Sequence, residues 1–254
     1  ELRGNVRVAV RVRPLLGKEV EQEASNGNGQ GVVECDKKTQ FVSLARADPK
    51  KEDFNVEYDK VFDTKTSQED VFDDVCDLVQ SALDGYQVCI FSYGQTGSGK
   101  THTMQGGSGD MRGLIPRAVE QILATAEAMK EDGWEYTITT SFLEIYNETV
   151  NDLFKVAGGV GDEKYTIRQT SAGVEIDGLE KEPLTDVAQL DGLLARAQRN
   201  KSVASTAMNQ NSSRSHCTLF LNIEGVNAKR KTRVRGALNL VDLAGSERLD
   251  RSCV

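Results

Sequence analysis

"GQTGSGKT", residues Gly94 to Thr101, fits the template G-x-x-x-x-G-K-[ST] at every fixed position. This is the sequence form of a loop that wraps nucleotide phosphates. Gly94, Gly97 and Gly99 let consecutive backbone N–H groups, with those of Gln95, Thr96 and Ser98 between them, converge on an anion. In the same template Lys100 reaches the β and γ oxygens and Thr101 supplies a hydroxyl to Mg²⁺. The apolar run "QVCIFSY" feeds straight into the loop and "THTMQGG" can open a helix behind it, so the order is strand, glycine loop, helix. On its own the loop means NTPase or kinase and no more.

Working outward, "VRVAVRVRP" (Val6 to Pro14) alternates valine with arginine or alanine and reads as a strand stopped by proline. A polar, glycine-rich stretch follows, then short strands at "VVECD" and "FVSLA". Val71, Phe72, Val75, Leu78, Val79 and Leu83 recur at helical spacing, with Ser67 placed as an N-cap and Gly85 as a stop. Beyond the loop come a helix in "IPRAVEQILATAEAMKED", with proline near its first turn, and a strand in "EYTITTSFLEIYN". Short strands near "YTIRQ" and "GVEI", a helix from about Asp186 to Arg199, and strands at "CTLFLNIEGV" and "RGALNLVDLAG" complete the pattern. No internal repeat or linker interrupts it. The expectation is one α/β domain over residues 1–254, built on a mixed central sheet with helices on both faces.

Composition sets the outer limits. At 254 residues, 28% charged and 38% hydrophobic, the chain has the make-up of an ordinary globular protein. The five cysteines form no C-x-x-C pair, and Cys89 sits inside "VCIF", so reduced, buried thiols are expected rather than disulfides or a metal site. That usage points to the cytoplasm. No apolar run approaches a membrane span, and "ELRGNVRV" carries no signal-peptide core. The net charge of −8 disfavours a nucleic-acid binder. The charge is uneven: residues 1–200 hold 22 Lys and Arg against 35 Asp and Glu, and residues 201–254 hold 9 against 4. A basic C-terminal side suits an acidic partner, and chance clustering in loops explains it equally well.

Three further stretches carry chemistry. "LNLVDLAG" ends a buried strand in Asp242, the acidic residue a phosphate loop needs to hold the Mg²⁺ shell, and Gly245 follows with an N–H free for a γ-phosphate. "NQNSSRSH" (Asn209 to His216) places hydroxyls before an apolar strand, where they either sense a γ-phosphate or cap a serine-rich turn. Arg214 there could pair with Glu247. Together these read as a nucleotide switch whose loops are ordered by γ-phosphate and Mg²⁺. The run Lys229, Arg230, Lys231, Arg233 and Arg235 reads as a solvated hairpin, Trp134 as packing, and His102 and His216 as no zinc site.

"VRVRP", "FSYGQTGSGKTHTMQG", "SFLEIYNETVNDL", "NQNSSRSH" and "LNLVDLAGSER" occur in an order and at spacings similar to those of the kinesin motor domain, over nearly the whole chain. The opening "ELRGNVRV" resembles the join between coiled coil and motor in the minus-end-directed, C-terminal-motor class. The resemblance implies an ATP-hydrolysing microtubule motor in the cytoplasm and on the cytoskeleton, including the spindle. It implies a coiled-coil homodimer through segments outside this chain, and no membrane or nucleic-acid partner. It places Arg11, Arg13 and Pro14 beside adenine and ribose, Tyr93 against the base, and Gly94 to Thr101 around the phosphates. Ser212 and Ser213 approach the γ-phosphate, Mg²⁺ and attacking water, with Ser213 and Thr101 on the metal, and Asn209 orders the closed switch. Asp242 acts through the Mg²⁺ water shell, Gly245 bonds the γ-phosphate, and Arg214 pairs with Glu247 to close the site.

The family's motor continues well past "LAGSER", through its main microtubule-binding helix, whereas this sequence stops at Val254. The alternative expectation is therefore a nucleotide-binding fragment with impaired catalysis that lacks the main track surface. A GTPase or P-loop kinase fits worse, because "NKSV" at Asn200, the nearest approach to N-K-x-D, lacks the aspartate that reads guanine. The expected outcome of a competition titration is tighter binding of ATP than of GTP. Equal or tighter GTP binding would overturn the assignment.

Overall fold

The computed structural model describes residues 6–17, 19–21, 33–44, 54–155, 165–170, 173–207 and 214–247. The chain divides into two compact units, residues 1–67 and 68–254. In the first, the valine alternation yields a strand only at β1 (Ala9–Arg11). A parallel ladder to β5 (Lys60–Phe62) is as long as that partner allows, and Val6 and Val8 remain exposed outside it. β2 (Val33–Asp36), β3 (Phe41–Leu44) and β4 (Phe54–Glu57) form an antiparallel meander. The Val61 N–H donates to Gln40 Oε1 at 2.6 Å, tying the β2–β3 turn to β5.

The second unit opens with α1 (Gln68–Asp73) and α2 (Cys76–Leu83). The sequence pattern predicts a continuous helix here. It breaks because the Val75 N–H turns back to the Phe72 carbonyl, three residues away, at 2.9 Å. After β6 (Gln87–Ser92) come α3 (Lys100–Met104), a 3₁₀ turn at Gly109–Met111, and α4 (Leu114–Ala128), with Pro116 in its first turn. β7 (Trp134–Tyr146) and β8 (Thr149–Asp152) form a hairpin, and β9 (Thr166–Thr170) pairs with β10 (Gly173–Asp177) as a separate ribbon. β11 (Glu182–Pro183), α5 (Val187–Ala207), β12 (His216–Asn227) and β13 (Thr232–Asp242) follow.

The central sheet runs β11-β7-β12-β13-β6, with β8 on β7. β7, β12 and β13 are antiparallel neighbours and β6 lies parallel to β13, so the sheet is mixed, flanked by helices as the sequence pattern predicts. Register stacks Phe142, Leu219, Leu240 and Ile90 across it, and beside them Thr140, Leu221, Leu238 and Val88. Leu219, Leu221, Leu238 and Leu240 are wholly buried in that layer. α2 packs on β13 and β6, while α4 packs on β7, α2 and α5.

On the other side of β6 the alternation brings out Cys89 and Phe91, the latter 58% exposed. The expectation of a buried Cys89 is corrected accordingly. "VCIF" looks like a strand buried on both faces, but among the described residues only the Val88 and Ile90 side of β6 is packed over. The thiols of Cys35, Cys76, Cys89 and Cys217 are all free. The basic run forms the tip and one arm of the β12–β13 hairpin, its cations exposed and Arg235 3.3 Å from Glu224.

Contact between α2 and the sheet depends on Gly236. A Cβ there would lie 1.8 Å from the Ala82 carbonyl oxygen, so only glycine lets the end of α2 rest on the β13 backbone. Gly236→Ala is expected to cost about 1–3 kcal/mol through forced separation of helix and strand. An unchanged urea-denaturation midpoint would contradict this.

Candidate nucleotide-binding site

β6 ends at Ser92, and the chain turns through Gly94 to Gly99 before α3 begins at Lys100. Gly97 and Gly99 adopt φ of +80° and +98°, a left-handed backbone that a side chain would strain, which is why the turn requires glycine there. The Ser98 N–H closes on the Gln95 carbonyl at 3.1 Å. Lys100 Nζ donates to the carbonyls of Gly94 (2.9 Å) and Gln95 (3.0 Å), so the cation lies over its own loop.

The parallel register of β6 and β13 sets Asp242 beside Ser92, at the point where the loop leaves the sheet. Asp242 Oδ1 accepts from Ser92 Oγ at 3.2 Å and Oδ2 accepts from Thr101 Oγ1 at 2.5 Å. A hydroxyl and a carboxylate in direct contact form an all-oxygen donor set of the hard type that suits Mg²⁺, which keeps most of its water shell. Thr101 and Asp242 are therefore the residues that fit this ion.

The chain past β13 is pinned against the loop. Leu243 N–H donates to the Ser92 carbonyl (3.3 Å), Ala244 N–H to His216 Nδ1 (3.1 Å) and Ser246 N–H to the Gly94 carbonyl (3.0 Å). The Gly245 N–H between them has no acceptor among the described residues. Glu247 consequently overhangs the loop, where Thr96 donates its N–H to Oε2 at 2.9 Å and its hydroxyl to Oε1. These bonds, with the nearby Lys100 charge, hold the Glu247 carboxyl below the ordinary glutamate range.

The ion pair expected between Arg214 and Glu247 is not formed in this structure. Arg214 is exposed, and the carboxylate is engaged by the two converging donors of Thr96 instead. Asn209, Ser212 and Ser213 lie outside the described residues. Tyr93 is 73% exposed beside the loop, its ring open to stacking. In the first unit, Arg11 is half-buried, with Nη2 3.5 Å from the Thr66 carbonyl. Arg13 there forms a two-pronged pair with Glu19 at 2.7 and 2.6 Å, and Pro14 follows it. Arg13 and the Leu16 N–H draw the Glu19 carboxyl down to about 2.

Sequence reasoning missed two supports. Gln68, buried at the start of α1, donates from Nε2 to the carbonyls of His102 (2.6 Å) and Met111 (3.1 Å), fastening α3 to the turn that follows it. Lys201 on α5 reaches Cys217 Sγ (3.0 Å) and Glu144 Oε1 (3.5 Å), which face each other across the β12–β7 ladder. Nothing in the local pattern marks either residue, since their partners lie far along the chain.

A phosphate loop between a strand and a helix, with the carboxylate of the adjacent parallel strand on its threonine, defines a P-loop nucleotide-binding protein. Comparison with known proteins narrows that class: the kinesin motor domain profile matches residues 11–254. Carboxy-terminal kinesin 2 of Xenopus laevis is 46% identical over 265 residues, covering 99% of this chain and 40% of that protein. Kinesin-like protein KIN-14N of Oryza sativa subsp. japonica is 44% identical over 263 residues, covering 99% of this chain and 33% of that one. The solved structure of a fast kinesin superposes with a TM-score of 0.85 at 33% identity, over 98% of this chain and 68% of that one. The chain belongs to the kinesin motor domain family, and it spans about a third to two-fifths of the length of these two curated relatives.

The depressed Glu247 carboxyl gives a pH prediction. Its contact with Thr96 is complete above the ordinary glutamate range and is lost as pH falls through the lower folded value. Acid titration should shift the Thr96 amide resonance with a midpoint below that of a free glutamate. A midpoint at the ordinary value would remove the contact.

Proposed function

We propose that this chain is the nucleotide-handling part of a microtubule-stimulated ATPase motor, residues 1–254 belonging to one motor domain. The observation that carries the reading is the junction of Thr101 with Asp242, next to a Gly245 N–H that has no acceptor among the described residues. In this reading the amides of Gly94 to Gly99 and Lys100 hold the phosphates of ATP. Thr101, Ser213 and Asp242 would hold Mg²⁺, which would supply positive charge to the phosphates of ATP. Arg11, Arg13, Pro14 and Tyr93 serve the adenine and ribose. Ser212, Ser213 and Asn209 approach the γ-phosphate side, where Gly245 donates its N–H.

Glu247 leaves Thr96 when the γ-phosphate draws both switch loops inward, and pairs with Arg214 to take up the proton of the attacking water. Relatives named as kinesins, one of them as a carboxy-terminal kinesin, support microtubules as the track and the cytoskeleton as the location, and the spindle belongs to the proposal without support from those names. Dimerisation through a coiled coil outside this chain belongs to the same proposal. Cytoplasmic residence follows from it.

ATP turnover measured with and without microtubules, on the chain extended to the length of its relatives' motor, tests the proposal. Lys100→Ala should weaken Mg·ATP by roughly 2 kcal/mol or more, since a buried phosphate charge loses its cation. Glu247→Ala should leave ATP affinity largely intact while turnover falls by about 100-fold or more, as for a group acting only in the closed state. Turnover that microtubules do not raise, or that survives both changes, would refute it.

A further inference from the structure

His216 is the first residue of β12 and the last of "NQNSSRSH", so it joins the polar block to the sheet. Its Nδ1 accepts the Ala244 N–H at 3.1 Å. Of the four N–H groups from Leu243 to Ser246, the first and last are held by carbonyls next to the phosphate loop, of Ser92 and Gly94. The third, Gly245, has no acceptor among the described residues. The second, Ala244, is held by the side chain of His216 at the end of "NQNSSRSH", 28 residues before it.

The direction of the Gly245 N–H is set by the peptide that precedes it. We propose that His216 is a positioning residue for the γ-phosphate response, its Nδ1 fixing the Ala244–Gly245 backbone so that the Gly245 N–H faces the nucleotide. This rests on the function proposed above for Gly245. The ring is partly buried, so the bond is shielded from competing water. The same bond links the end of "NQNSSRSH" to the start of "AGSE" through one side chain, so a pull on Gly245 is felt at residues 214 to 216. The Arg214 to Glu247 pair, which is not formed here, is not needed for that link.

The chemistry predicts an ordered response to substitution. Asparagine keeps an acceptor at the same number of bonds from the backbone as Nδ1, glutamine places it one bond further out, and alanine has none. The test compares the parent, extended to its relatives' motor length, with His216→Asn, His216→Gln and His216→Ala, titrated with ADP and with a non-hydrolysable ATP analogue, alongside kcat and KM for ATP. His216→Ala should weaken the ATP analogue by about 2–10-fold, the worth of one hydrogen bond, and leave ADP affinity unchanged. It should also lower kcat, and His216→Asn should restore both while His216→Gln does not.

Equal loss of ADP and analogue affinity, or no rescue by asparagine, would overturn the positioning role. If His216→Ala fails to fold, the contrast between asparagine and glutamine decides the question. The parent separates the two claims: a parent that binds analogue and ADP but hydrolyses nothing refutes the proposed function, whereas a hydrolysing parent whose variants behave alike refutes the role of His216.

Discussion

The parallel pairing of β6 with β13 is the constraint on which the site depends. It sets Asp242 opposite Ser92, so the acidic end of one strand and the start of the phosphate loop leave the sheet side by side. Everything downstream follows from that adjacency. Thr101, one residue into the helix behind the loop, can then reach Asp242, and the chain after β13 can lay its N–H groups onto the loop's carbonyls. A one-residue slip in register would turn Asp242 to the opposite face and part it from Thr101.

The loop is also held by its own groups. Lys100 lies on two loop carbonyls, and Thr96 gives both of its donors to Glu247. A phosphate must replace these partners rather than fill unsatisfied ones, so binding exchanges one set of charge-assisted bonds for another. The exchange frees Glu247, whose carboxylate is kept ionised by the very contacts it would give up. The chain after β13 is thus held to the loop at Ser92, at Gly94 and, through Glu247, at Thr96.

The sheet divides its labour between faces. The leucine layer from Phe142 to Ile90 gives the strands a packed base, and Gly236 lets α2 come close enough to cover it. The Phe91 and Cys89 side of β6 is open among the described residues. Rigidity near the loop thus comes from one face, with Gln68 adding a polar fastening where α3 meets the following turn.

The sequence by itself determined what depends on neighbours in the chain. "GQTGSGKT" dictates a left-handed glycine turn into a helix, and the alternation in β6, β12 and β13 dictates strands, because both are properties of a few consecutive residues. The family was legible for the same reason, as a series of such local stretches in order. Tertiary structure alone decided which partners meet: Thr101 with Asp242 across 141 residues, Thr96 with Glu247 across 151, and Ala244 with His216. For Glu247 the Arg214 pairing was expected and the Thr96 contact formed instead, because motif spacing says which charges are present but not which donors converge on them. Burial at Cys89 was misjudged because periodicity reports that a strand is apolar, while coverage of its second face is a matter of what packs there. Local pattern follows from backbone geometry within a few residues, whereas a site is assembled by sheet register, and register is fixed by the burial of side chains distant in sequence.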